Sequence, residues 1–286
     1  MALPPTLPGG YQLWYYYLFL AGGIAVATIF LILVTTHLYG IIKTRHRFCI
    51  PLLIGGIFEV IGYAFRVVAH HNTNSTTPYA IQSVLILLAP ILFAASVYMY
   101  LGRTIIGAHG EYLSMIKPRF LTKIFVTGDV FCFMIQAGGG GMLVTANDSS
   151  NVELGEHMIL GGLILQVIIF VFFVMVAIRF HVRMAATHHH NTLFQWRKSL
   201  ITTYALSFLI MLRNVVRAVE YGMGSNGYIL RHEWSTFVFD GAPMMAVLLI
   251  SLTWYKIGVR CKSQQTEIDV ESYQMMTPSK CARQQR

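Results

Sequence analysis

Seven ionisable side chains lie where the surrounding chain is otherwise apolar: Glu59, Arg66, Asp129, Arg213, Arg217, Glu220 and Asp240. The amides Gln82 and Gln136 keep similar company. A charge at such a place in a bilayer is expensive, so it turns toward the protein interior, pairs with an opposite charge, and marks a pathway or a ligand site. The spacing supports shared faces. Arg213 and Arg217 are four residues apart and Glu220 is three beyond Arg217, so on a helix one ridge carries two cations and an anion. Glu59 to Arg66 and Asp129 to Gln136 each span seven residues, two turns along one face.

Four acids against three bases nearly neutralise one another, which leaves two readings open. In the first, the ions are interhelical glue, with Arg66, Arg213 and Arg217 paired to Glu220, Asp240 and Glu59; contacts of this kind are worth about 1 kcal/mol or less each in a membrane. In the second, they line a solvated or ligand-contacting cavity. A bundle that needs only glue has Ser, Thr and Asn at its disposal, and seven charges therefore favour the cavity, with some members serving both ends. Such a cavity offers Glu59, Asp129 and Asp240 to a cationic group and Arg213 and Arg217 to a phosphate or carboxylate.

Other chemistries are poorly supported. His70, His71, His157 and His232 have no H-E-x-x-H spacing, and the run His188, His189, His190 falls on a loop without the fixed geometry a metal site requires. No G-x-S-x-G elbow occurs, and no P-loop motif that would bind a nucleotide. Neither a metal nor a cofactor is expected. Asp129 or Glu59 acting as a buried general acid is the enzymatic reading that survives, and it ranks behind a ligand-contacting cavity.

The elements that must position these residues are membrane helices. The chain has 286 residues, of which 55% are hydrophobic and only 12% charged, against about 25% charged in a soluble domain, and its mean hydropathy is +0.58. About 20 apolar residues of helix cross a hydrocarbon core. Seven runs qualify: Tyr15–Leu38, Phe48–Val68, Tyr79–Leu101, Leu121–Thr145, His157–Phe180, Ser199–Glu220 and Ser235–Ile257. The expected fold is therefore all-α and polytopic: residues 1–14 a short extracellular N-terminus, 15–257 a seven-helix domain, 258–286 a polar, disordered cytoplasmic tail. Nothing at the start has the basic n-region of a cleaved signal peptide.

Orientation follows from Lys and Arg, which accumulate on the cytoplasmic side. Of the 21 such residues, seventeen flank alternate loops and the tail, three lie inside spans, and Arg231 stands alone on the opposite face. This places the N-terminus outside and the C-terminus in the cytoplasm. It also accounts for the net charge of +9 through topology and anionic lipid headgroups, so no nucleic-acid partner is expected. The sequons at Asn74 and Asn147 then fall on the exterior face as glycosylation candidates. Aromatic residues at 14–17 and at Trp254 and Tyr255 suit interfacial belts. With this orientation Arg66, Gln82, Gln136, Arg213, Arg217, Glu220 and Asp240 converge on the outer half of the bundle, Glu59 and Asp129 lying deeper. The run Gly138, Gly139, Gly140, Gly141 follows Gln136 and reads as a flattened helix surface, either one wall of that cavity or a close-packing face for a neighbour such as Gly161 and Gly162.

The segments "FEVIGYAFR" (58–66), "YAIQSVLILLAPILFAASVYMYLGR" (79–103), "GDVFCFMIQAGGGG" (128–141) and "LRNVVRAVEYGMGSNGYILRHEWSTFVFD" (212–240) resemble the signature segments of the fungal RTA-like proteins, or lipid-translocating exporters. The likeness runs from the first span to the seventh. It implies a seven-helix protein of the plasma membrane, or alternatively of the vacuolar membrane, with an outer N-terminus. It also implies association with resistance to toxic amphiphiles, release of sphingoid long-chain bases, and porphyrin traffic. By motif it marks Glu59 and Arg66, Gln82 and Pro90, Asp129 and Gln136, and Arg213, Arg217, Glu220, Glu233 and Asp240. The stretch Trp234–Phe237 departs from the pattern, which has an aromatic shortly before the Asp; Phe237 or Phe239 stands in. The resulting expectation is a translocator of amphiphilic lipids, with a receptor-like lipid or porphyrin sensor as the alternative.

Overall fold

The computed structural model describes residues 20–71, 76–108, 110–145, 148–187, 196–223 and 233–255. Asn74, Asn147, the histidine run, the N-terminal aromatics and the tail lie outside them.

Seven helices are long and apolar enough to cross a membrane. They are α1 (Leu20–Thr44), α2 (Ile50–His71), α3 (Thr76–Gly107), α4 (Pro118–Thr145), α5 (Ser149–Ala186), α6 (Trp196–Gly222) and α7, which occupies 233–251 in three pieces. Those pieces are an α-helical turn Glu233–Ser235, a π-helical segment Thr236–Gly241 and the α-helix Ala242–Ser251. No strand is present among the described residues. Helices outlast the apolar runs that announce them: α5 has 38 residues, about 57 Å at 1.5 Å per residue, because backbone bonding continues through polar residues until something stops it. Pro118, whose missing N–H costs nothing in a first turn, starts α4. Between α1 and α2, Arg45 takes a positive φ of 56° in the turn that leads to the 3₁₀ segment Arg47–Cys49.

Consecutive helices pack side by side from α1 to α7, α7 closes back on α1, and α3 also packs on α6. That makes α3 the central element: 67% of its apolar window is buried, against 28–44% in the other six. Close approach to α3 depends on missing side chains on α2. A Cβ at Gly55 would lie 2.8 Å from the Phe93 ring, and one at Gly62 2.7 Å from Ile86, so this seam is built in the small-residue manner of membrane helices. Trp254 and Tyr255 are buried against protein at the seams around α7. Trp254 stacks on Tyr100 at 4.5 Å, and the Tyr255 hydroxyl pairs with His37 Nδ1 at 2.9 Å.

Candidate functional site

The site is assembled around α6. Arg213 and Arg217 share one face of the helix, as their four-residue spacing demands, and that face meets α3 and α7. Arg213 is 1% exposed and has two acceptors: Asp240 Oδ1 at 2.5 Å and the backbone carbonyl of Ile86 at 3.0 Å. A carbonyl in the middle of α3 would ordinarily be taken by the N–H four residues on. That residue is Pro90, which has no N–H to give. Ile86's carbonyl is left over and a guanidinium from another helix uses it.

Asp240 has a comparable local origin. It sits in the π-helical segment of α7, where the N–H of Ala242 bonds to Phe237, five residues back. Pro243 follows, and a proline both lacks the N–H for residue 239 and crowds that carbonyl. Widening the preceding turn relieves the crowding, and such π segments recur at functional sites because they redirect side chains. The carboxylate so presented takes Arg213 on Oδ1 and Arg217 on Oδ2. The second nitrogen of Arg217 donates to Glu220 Oε2 at 3.1 Å.

From α2 come Glu59, Tyr63 and Arg66, one face at intervals of four and three residues. Glu59 is 1% exposed, its Oε2 has no hydrogen-bond partner, and the charges acting on it are those of Asp240, Arg213 and Arg217. Tyr63 stacks between Phe30 and Phe237 at 5.7 and 6.4 Å. Its hydroxyl, also without a hydrogen-bond partner, points at Gly241, where a Cβ would stand 2.9 Å away. The Arg66 guanidinium lies over the Phe237 ring at 5.3 Å. Gln82, one turn before Ile86 on α3, is buried beside Gly62. Between α6 and α7 a small recess is lined by Val216, Arg217, Glu220, Ser235, Thr236, Phe239 and Asp240. Arg217 is the guanidinium that reaches it: its side chain is 21% exposed, while that of Arg213 is sealed behind Asp240 at 1%. Arg213 therefore holds Asp240 in place, and a ligand meets Arg217.

Two members of the expected cluster are elsewhere. Asp129 and Gln136 face α3 and α5. Tyr98 on α3 donates to Asp129 Oδ2 at 2.8 Å, amid Phe125, Phe170 and Phe173 packed on the Tyr98 ring; Asp129 Oδ1 is buried without a partner. Gln136 donates to Gln166 Oε1 at 3.0 Å. Tyr98 and Ile86 are twelve residues apart on α3, about 18 Å along its axis, so the single convergent cavity is in fact two polar groups on different faces of the central helix.

The glycine run is likewise not a wall of the Arg213–Asp240 group. Its near neighbours belong to α5: a Cβ at Gly139 would stand 2.7 Å from the Gly155 carbonyl, and Gly138 faces Met158. Gly140 and Gly141 have open space beside them. The packing partner is Gly155, one heptad before Gly162, because Gly162 is used to admit the Gln136 side chain.

Several participants were not singled out from sequence. Tyr63 is four residues after Glu59 and reads as an ordinary apolar ring. Gln166 and Asn214, both buried in their helices, carry no periodic signal apart from being amides in an apolar run; both polar atoms of the Asn214 side chain are buried without a hydrogen bond. No three His, Cys, Asp or Glu side chains converge on a metal position among the described residues; Cys49 and Cys132 are buried thiols.

Residues 52–264 match the family model described as RTA1 like protein. The chain is 42% identical over 202 residues to protoporphyrin uptake protein 1 of Saccharomyces cerevisiae, covering 70% of this chain and 66% of that protein. It is 35% identical over 221 residues to protein RTA1 of the same yeast, covering 77% and 68%. To the yeast sphingoid long-chain base transporter RSB1 it is 25% identical over 285 residues, covering 86% and 74%. The chain thus spans about two thirds of the length of the first of these relatives. No solved structure matches it.

Proposed function

The chain belongs to the family of RTA1-like integral membrane proteins, and from that premise we propose that it is a translocator of an amphiphilic small molecule, a lipid or a porphyrin-like compound, and not an enzyme. The observation that carries the proposal is the buried ion group of α2, α3, α6 and α7, from which one cation, Arg217, reaches a recess. Pure glue would leave no reason for a Glu59 carboxyl with a partnerless oxygen or a Tyr63 hydroxyl in the same state; groups of this kind are costly until something binds them. The headgroup sits with Arg217 and Glu220 at the recess, with Glu59, Arg66 and Gln82 behind it on α2 and α3, while Arg213 and Asp240 hold the group's shape. Asp129 and Gln136 form a second polar station for the same cargo. The names of the yeast relatives, a protoporphyrin uptake protein and a sphingoid long-chain base transporter, support an amphiphilic cargo. The basic loops support an N-terminus outside, and on that reading the ion group lies in the outer half of the bundle; the proposal is completed by the plasma membrane as its location and export as its direction.

The test is flux. The full chain in liposomes is expected to move at least one of three fluorescent amphiphiles, a sphingoid base, a porphyrin or a phosphocholine lipid, faster than protein-free vesicles, and Arg217→Gln is expected to lower that rate. Rates equal to empty vesicles with saturable binding would replace transport by sensing. A changed mass of the recovered probe would point to an enzyme.

A further inference from the structure

The recess between α6 and α7 is shallow, about 200 Å³ counting the open space at its mouth. The α6 residues next to its lining, Val215 and Val219, and the α7 residues Trp234 and Val238 are apolar and 40–49% exposed. On a seven-span bundle such side chains face acyl chains. A shallow recess with buried ion pairs at its back and lipid-facing residues beside it can take a headgroup from the bilayer while the tail stays outside.

We propose that this cleft is a lateral portal that admits the headgroup of a membrane lipid, and that the head it fits is zwitterionic, carrying an anionic phosphate or carboxylate and an ammonium. The assignment rests on the transport reading and names the entrance and the charge type of the cargo. Its physical basis is the charge count of the site. Arg66, Arg213 and Arg217 stand against Glu59, Asp240 and Glu220, three against three, so a head with net charge would leave an uncompensated ion where the surroundings are apolar, whereas a zwitterion adds none. The pairs are also unequal. Asp240 is held on both oxygens by two guanidiniums, one of them sealed. The Arg217–Glu220 contact at 3.1 Å lies at the recess and is made within one helix. A zwitterion exchanges partners with that pair alone: its anion takes the Arg217 nitrogen that Glu220 held, and Glu220 takes the ammonium. Ser235 and Thr236 line the opposite wall.

The experiment uses the full chain reconstituted in an uncharged galactolipid bilayer, doped with lipids bearing the same photoreactive acyl chain on one of three heads. The heads are phosphocholine (zwitterionic), phosphoglycerol (anionic) and trimethylammonium (cationic). Label is read by peptide mass spectrometry at Val215–Val219 and Val238, with the lipid-facing Ile168 and Ile201 as internal controls for fold and for non-specific lipid. The phosphocholine probe is expected to label the cleft peptides about fivefold more than either charged probe, a preference of about 1 kcal/mol, and to label the controls equally. Glu220→Gln and Arg217→Gln are expected to abolish the preference. Thr236→Trp, which fills the recess without altering its charge, is expected to reduce cleft labelling to the control level. Equal cleft labelling by all three heads, or an undiminished preference in Thr236→Trp with intact controls, overturns the portal. Flux without head preference leaves the transport reading standing and removes the portal; head preference without flux does the reverse.

Discussion

Replacing Asp240 by Asn isolates the central ion pair. The amide keeps the size of the side chain but offers one acceptor oxygen and no charge, where the carboxylate serves two guanidiniums. Arg217 retains Glu220. Arg213, 1% exposed, retains only the Ile86 carbonyl, so the loss concentrates there. Removing one partner of a buried pair costs about 3–5 kcal/mol. At about 2–4 °C per kcal/mol, Asp240→Asn is expected to lower the midpoint of thermal unfolding of the detergent-solubilised protein by about 6–20 °C. Combining it with Arg213→Met removes the stranded cation and should recover most of that loss, since a buried pair replaced by apolar side chains is often near neutral. The assay is a fluorescence melt with size-exclusion recovery at each temperature for the two single variants and the double. A midpoint for Asp240→Asn within about 2 °C of the parent, roughly 1 kcal/mol or less, would refute the reasoning. So would a double variant no more stable than Asp240→Asn.

Three further outcomes are expected. Pro90→Ala restores an N–H that competes with Arg213 for the Ile86 carbonyl, so in a double-mutant cycle with Arg213→Met the two changes should couple by about 1 kcal/mol or more, and additivity within about 0.5 kcal/mol would deny the link. Gly139→Ala places a methyl against the Gly155 backbone and should destabilise by about 1–3 kcal/mol, whereas Gly140→Ala, with open space beside it, should be neutral or stabilising by up to about 1 kcal/mol; melts of the two variants check the contrast. Asp129→Asn keeps an acceptor for the Tyr98 hydroxyl, so the protein should reach the membrane in normal amount yet lose flux in the liposome assay, and full flux would remove Asp129 from the mechanism.

The count of spans was readable because apolar length is a property of each segment alone. The ridge of Arg213, Arg217 and Glu220 was readable for the same reason, since residues three and four apart share a helix face whatever surrounds them. Span ends were less so: α1 runs to Thr44 and α5 to Ala186, past the apolar stretches, because hydropathy reports where lipid is tolerated and not where backbone hydrogen bonding stops.

What only the tertiary structure decided is which face meets which. Asp240 and Arg213 are 27 residues apart and Ile86 and Arg213 are 127 apart; no periodicity connects them. The two prolines had a legible local effect, a carbonyl without its helical donor, but the identity of the group that exploits Ile86 depends on α6 lying against α3. The same dependence split Asp129 and Gln136 from the other polar residues, since α4 turns them toward Tyr98 of α3 and Gln166 of α5. It also gave Gly139 to Gly155 instead of to a cavity. Local patterning sets what each helix can offer, and packing around α3, the one helix that touches α2, α4 and α6, sets which offers are taken.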